Sequence, residues 1–60
     1  MIKVLYTLIA ISSHGQTYVV QKDLTLQECA GHLALERIAL SHVQAVHPDA
    51  TMEFRCVEQR

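Results

Sequence analysis

The side chains of this 60-residue chain that could do chemistry are four histidines and two cysteines. His32 and Glu36 lie four positions apart, so on a helix they would share a face and could hold a metal ion. No third ligand stands at a suitable spacing, because His42 and His47 are poorly spaced for one site and His14 is remote. We therefore expect all four histidines to be surface side chains, and we predict no metal centre and no cofactor.

The two cysteines, Cys29 and Cys56, stand far apart in the chain and form no CxxC pair. Near the start of a helix Cys29 could act as a nucleophile, but its position in the helical pattern directs it towards the core, where a thiol is inert. We expect two buried, reduced thiols, with a disulfide as the alternative. In either state the predicted topology makes Cys29 and Cys56 neighbours in space.

Composition excludes several classes of function. The formal net charge is −1, so there is no basic excess to neutralise nucleic-acid phosphates. The acidic residues are scattered, there is no GxSxG motif, and two glycines cannot build a phosphate loop. A chain this short also has little volume for a pocket of about 300 Å³ or more. We therefore expect no catalytic site and no enzyme activity.

The opening residues allow two interpretations. Met1–Lys3 precede an apolar run from Val4 to Ile11, and Ser12 follows, as in a short secretory signal cleaved near Ser12. The run is short for such a signal and contains Tyr6 and Thr7. We interpret it as a strand of a cytoplasmic protein, with export after cleavage as the alternative. No apolar stretch approaches the roughly 18 residues of a membrane span, so no membrane partner is expected.

The pattern of apolar residues predicts a β-β-α-β chain that forms one small α+β domain over residues 1–60. Both faces of the first strand are apolar, which is typical of a central strand. Thr25 and Glu28 match a capping box at the start of the helix, and Pro48 ends it. The predicted sheet is antiparallel, in the order 2-1-3, with one long helix on one face. The predicted strands are Val4–Ile11, Gln16–Gln21 and Thr51–Val57, and the predicted helix is Leu26–His47.

The predicted helix has two apolar stripes. The first, expected to pack on the sheet, contains Leu26, Cys29, Ala30, Leu33, Leu40 and Val43, with Leu33 in the core. One helix on a three-stranded sheet buries only one stripe, and the far side of the sheet also stays uncovered, so apolar surface is left for association. We predict a partner-binding surface, most simply in a two-fold homodimer. Its residues are Leu35, Ile38, Ala39 and Val46 of the helix, with Leu5 and Ile9 of the sheet.

The arrangement of an apolar first strand, a glycine turn and two cysteines resembles a loose class of short uncharacterised proteins encoded in bacteriophages and prophages. Gly15, Cys29, Cys56 and Val57 occupy the matching positions, and the segments GQTYVVQKDLTLQECAGHLA and MEFRCVEQ carry the likeness. The resemblance implies a phage or prophage origin and a protein that binds and modulates or inhibits a bacterial host protein. A small exported, disulfide-bonded envelope or phage structural protein is the alternative.

Overall fold

The computed structural model describes residues 4–59, which form three strands and one helix. The strand order is β2-β1-β3, and both pairings are antiparallel, so the predicted α+β architecture is confirmed. Met1–Lys3, which open the signal-like pattern, and Arg60 lie outside the described residues. The elements are β1 (Tyr6–Ser12), β2 (Thr17–Leu24), α1 (Leu26–Val46) and β3 (Met52–Glu58).

The turn between β1 and β2 is closed at Ser12. Its backbone N–H donates to the carbonyl of Gln16 (2.8 Å), and the N–H of Gly15 donates back to the carbonyl of Ser12 (3.0 Å). Gly15 has a φ of 83°, which side chains with a Cβ rarely adopt. The predicted role of Gly15 in the turn is confirmed, and the turn brings β2 directly back alongside β1.

The capping box predicted from the sequence starts α1. The hydroxyl of Thr25 accepts from the N–H of Glu28 (3.1 Å), and the carboxylate of Glu28 accepts from the N–H of Thr25 (2.9 Å). At the other end His47 is the C-cap, and the helix stops one residue short of the predicted end. Pro48 accounts for the stop, because the residue before a proline is disfavoured in the helical region.

β2 extends further than predicted, to Leu24, through an irregular register. The pairing with β1 shifts twice, between Tyr6 and Ile9 of β1. Near the end of β2, Asp23 adopts a left-handed φ of 59°, a conformation that short polar side chains tolerate. Gln59 holds it there: its Oε1 accepts from the backbone N–H of Asp23 (2.8 Å), and its Nε2 donates to Asp23 Oδ1 (3.2 Å). This link ties the end of β2 to the residue that follows β3.

The core is small and lies between α1 and one face of the sheet. Among the described residues its buried members are Leu8, Ala10, Leu24, Cys29 and Phe54. Leu8 and Ala10 alternate on the central strand, and the ladder sets Phe54 of β3 beside Ala10. As the central strand, the apolar β1 contributes two of these five side chains.

The predicted sheet-facing stripe of α1 is only partly correct. Cys29 is buried, and Leu33 and Leu40 pack against the core but are half-buried, so Leu33 is not the fully buried residue that we expected. The predictions for Leu26 and Val43 are wrong, because 57% and 47% of their surfaces are exposed. Ala30, also predicted in this stripe, is exposed. The helix instead turns Glu36 and Gln44, both half-buried, towards the sheet, so its contact line follows Cys29, Leu33, Glu36, Leu40 and Gln44.

Candidate interaction surfaces

A disulfide joins Cys29 of α1 to Cys56 of β3, with the two Cα atoms 6.1 Å apart. The expected proximity of the two residues is confirmed, whereas the expectation of two reduced thiols is wrong, because neither cysteine is free. Cys29 is completely buried, and Cys56 is half-buried and faces α1 beside Leu8. The bond removes both sulfurs from nucleophilic chemistry and fixes the helix to an edge strand.

The four histidines are dispersed over the molecule. His14 lies in the β1–β2 turn, His42 is exposed on α1, and His47 caps the end of α1. His32 is half-buried on α1, one turn before Glu36. Over residues 4–59 no three histidine, cysteine or acidic side chains come together as metal ligands.

An open groove of about 420 Å³ runs between the second half of α1 and the start of β3. This is more space than the length of the chain led us to expect. Its walls are mostly apolar, with the carboxylates of Glu36 and Asp49 among them, and its lining includes no histidine or cysteine. Ala39, predicted to bind a partner, and Val43, predicted to face the sheet, both line this groove.

The side of the sheet away from α1, which we call the open face, is apolar and uncovered. Its central-strand residues are half-buried by their neighbours in the sheet alone. Its edge residues are more exposed, Val19 at 56% and Val57 at 43%. Among its polar residues is one exposed pair, in which Arg55 donates to Glu53 (3.0 Å), and Thr7 and Thr17 also lie on this face. The pairing register and the alternation of side chains along the strands assign its apolar members as Leu5, Ile9, Ile11, Val19 and Val57.

A second apolar surface, the outer helix stripe, lies on the side of α1 that faces away from the sheet. It consists of Leu35, Ile38 and Val46, whose exposed fractions are 64%, 56% and 74%. His42, also exposed, lies within the stripe, one turn from both Ile38 and Val46. Each of these three residues was predicted to bind a partner, and each is accessible for that role.

The six predicted partner-binding residues therefore do not form one surface. Leu5 and Ile9 lie on the open face, Leu35, Ile38 and Val46 lie on the outer helix stripe, and the sheet and helix separate the two groups. Ala39 belongs to neither, since it lines the groove. Three residues of the open face are missing from the predicted partner-binding set, although the alternation of side chains along the strands could have found them: Ile11, Val19 and Val57.

The chain exposes more surface than a compact monomer of its mass. Its accessible surface is 4733 Å², whereas a folded monomer of 6.8 kDa exposes roughly 4000 Å². The excess, roughly 700 Å² on that scaling, is close to the area of about 800 Å² that one partner loses in a standard protein–protein interface. The excess of total accessible surface is thus of the size that one partner loses in an interface.

Comparison of the chain with protein families, with curated proteins and with solved structures found no match in any of the three. In residues 4–59 we find no helix that combines the length and the apolar character needed to span a membrane.

Proposed function

We propose that this chain is a protein-binding module and that its open face is the binding surface. The observation that supports this most is the row of Leu5, Ile9 and Ile11, which lies along β1 and the residue before it, on the side of the sheet away from α1, and is only half-buried. Apolar patches of this kind on small soluble domains usually mark interaction sites. A flat sheet face flanked by the valines of both edge strands presents such a patch in one plane.

The partner that the resemblance to phage and prophage proteins suggests is a bacterial host protein, whose activity the bound module would modulate or inhibit. Binding through a preformed sheet face needs no catalytic residue. It also agrees with the dispersed histidines. The small domain would act by occupying a surface of its target.

The proposal is tested by immobilising the oxidised wild-type protein and Val57→Glu, and comparing what each captures from a bacterial lysate. Val57 lies on an edge strand and is 43% exposed, so a glutamate there charges the open face without entering the core. We expect a protein retained by the wild type to be lost with Val57→Glu. The matched control is Met52→Glu, on the same strand and on the side of α1, which should retain it. Equal capture by all three proteins would contradict the proposal.

The disulfide favours a second candidate, an exported envelope or phage structural protein, because such bonds persist mainly in oxidising compartments. Cleavage near Ser12 would remove all of β1, including Leu8 and Ala10 of the core. An exported form with this fold therefore has to keep β1. Alkylation of cells that express the chain, followed by mass measurement, separates the two candidates. A chain from the cytoplasmic fraction with both thiols alkylated supports the cytoplasmic binding module. A chain from the envelope fraction with an intact disulfide supports the exported protein.

A further inference from the structure

The outer edge of β2 is an exposed strand edge with little protection by charge. Thr17 to Gln21 carry no charge, and all five are exposed. Natural proteins usually protect an edge with lysine, proline, inward charges or a bulge, because a bare edge pairs with other strands. β2 has a bulge at Val20, where the register skips one residue of β2 between the partners of Leu8 and Ile9, and Lys22 and the left-handed residue Asp23 follow, so the regular, uncharged part of the edge is Thr17 to Val19. The opposite edge, β3, is by contrast charged at Glu53, Arg55 and Glu58.

At Val19 the backbone N–H and C=O of β2 point outwards, away from β1. The bond from Ser12 N–H to the carbonyl of Gln16 fixes which residues of β2 point towards β1. Hydrogen-bonded and non-bonded pairs alternate along an antiparallel ladder, so Tyr18 bonds to Ala10. Val19, opposite Ile9, is then in a non-bonded pair and directs its N–H and C=O away from β1.

We propose that a second copy of this chain pairs with β2 in antiparallel orientation, about a two-fold axis at Val19. Each Val19 then exchanges two backbone hydrogen bonds with Val19 of the partner subunit. Tyr18 lies across from the partner's Val20, an aromatic and β-branched pair that stabilises antiparallel sheets. No like charges meet.

This pairing goes beyond the proposed function, because it concerns the edge of the sheet and leaves the open face uncovered. A two-fold axis through paired antiparallel strands runs perpendicular to the sheet, so both copies of α1 lie on the same side. The two open faces then join into one six-stranded surface. The register shift near Gln21 limits the pairing to a short segment, so the dimer is weak and depends on concentration.

Hydrogen exchange of the unaltered protein tests the pairing directly. Sedimentation equilibrium first establishes the concentration at which the dimer dominates. There, the amide of Val19 should exchange about tenfold more slowly than in the dilute monomer, whereas the amide of Tyr18, already bonded to β1, should change little. A dimer in which Val19 exchanges as fast as in the monomer would overturn the inference. A chain that stays monomeric in the millimolar range would also overturn it.

Two variants extend the test. Val19→Pro removes an N–H that makes no bond within the monomer, and proline is tolerated on edge strands at such positions. It should keep the circular dichroism spectrum of the wild type and sediment as a monomer. Val19→Cys does not require the strand to tolerate a proline. The Cα atoms of a hydrogen-bonded pair lie about 5.5 Å apart, which is within the range that a disulfide can bridge. It should form a covalent dimer on mild oxidation, and the control Val57→Cys should not.

Equal cross-linking of Val19→Cys and Val57→Cys would also overturn the pairing through β2. The result for pairing through β2 can be distinguished from the result for the proposed function. Capture of a partner and its loss with Val57→Glu can be observed whether or not the chain dimerises. Conversely, a β2-paired dimer that captures the same proteins with and without Val57→Glu would contradict the open-face proposal alone.

Discussion

Cys29 and Cys56 are bonded across the interface between helix and sheet, with their Cα atoms 6.1 Å apart. Cys29 lies in the first turns of α1, and Cys56 lies beside Leu8 on β3. The bond therefore closes a loop that contains nearly all of α1 and the connection to β3. In a domain with five buried side chains among its described residues, such a constraint replaces part of the core that the chain lacks.

Removing the disulfide should destabilise the protein substantially. For a loop with a sequence separation of 27 residues, the chain-entropy model gives about 3–4 kcal/mol. We expect the double variant Cys29→Ser, Cys56→Ser to lose that much unfolding free energy in urea. The wild type in reductant should behave similarly, and the double variant should not respond to reductant. Coincident unfolding curves for the oxidised and reduced wild type would contradict this role.

Leu8 should matter more to stability than Leu33. Leu8 is fully buried at the centre of the sheet, so Leu8→Ala is expected to cost about 2–5 kcal/mol. Leu33 is half-buried, and Leu33→Ala should cost only about 1–2 kcal/mol. Urea unfolding of both variants with the disulfide intact measures the difference. A larger loss of unfolding free energy for Leu33→Ala than for Leu8→Ala would contradict this ranking. It would place Leu33 in the core, as the sequence pattern predicts.

The capping box should contribute a measurable part of the stability of α1. In Thr25→Ala the N–H of Glu28 loses its side-chain acceptor, at an expected cost of about 1 kcal/mol. Thr51→Ala is the matched control, because Thr51 is exposed and outside the elements. Thermal unfolding followed by circular dichroism compares them. If the two variants melt at the same temperature, the cap is not a significant determinant of the helix.

Ile38→Glu distinguishes the outer helix stripe from the edge of β2 as the surface of self-association. The sequence pattern predicts that this change weakens the assembly. Pairing through β2 predicts no change, because Ile38 faces away from the sheet. Since Ile38 is 56% exposed, the fold should be retained, with a stability change within about 0.5 kcal/mol. We expect an unaltered dimerisation constant in sedimentation equilibrium. A shift to monomer would assign self-association to the outer helix stripe.

Local chemistry in the sequence determined the elements of this fold and their order. A continuous apolar run, a glycine turn, a Thr25–Glu28 cap and Pro48 each act on their neighbours, so each can be read without the tertiary structure. The central place of β1 followed from a strand that is apolar on both faces. The proximity of Cys29 and Cys56 followed from the resulting topology.

The tertiary structure alone decided which apolar residues are covered. The helical pattern could not assign Leu26, Val43 or Leu33 correctly, because their burial depends on how far the narrow sheet extends under α1 and on the anchor at Cys29. It also could not show that Leu5 and Ile38 lie on opposite sides of the molecule. Nor could it show that Val19 directs its backbone outwards. These properties depend on the register and on the packing of helix against sheet, which no local signal in the chain specifies.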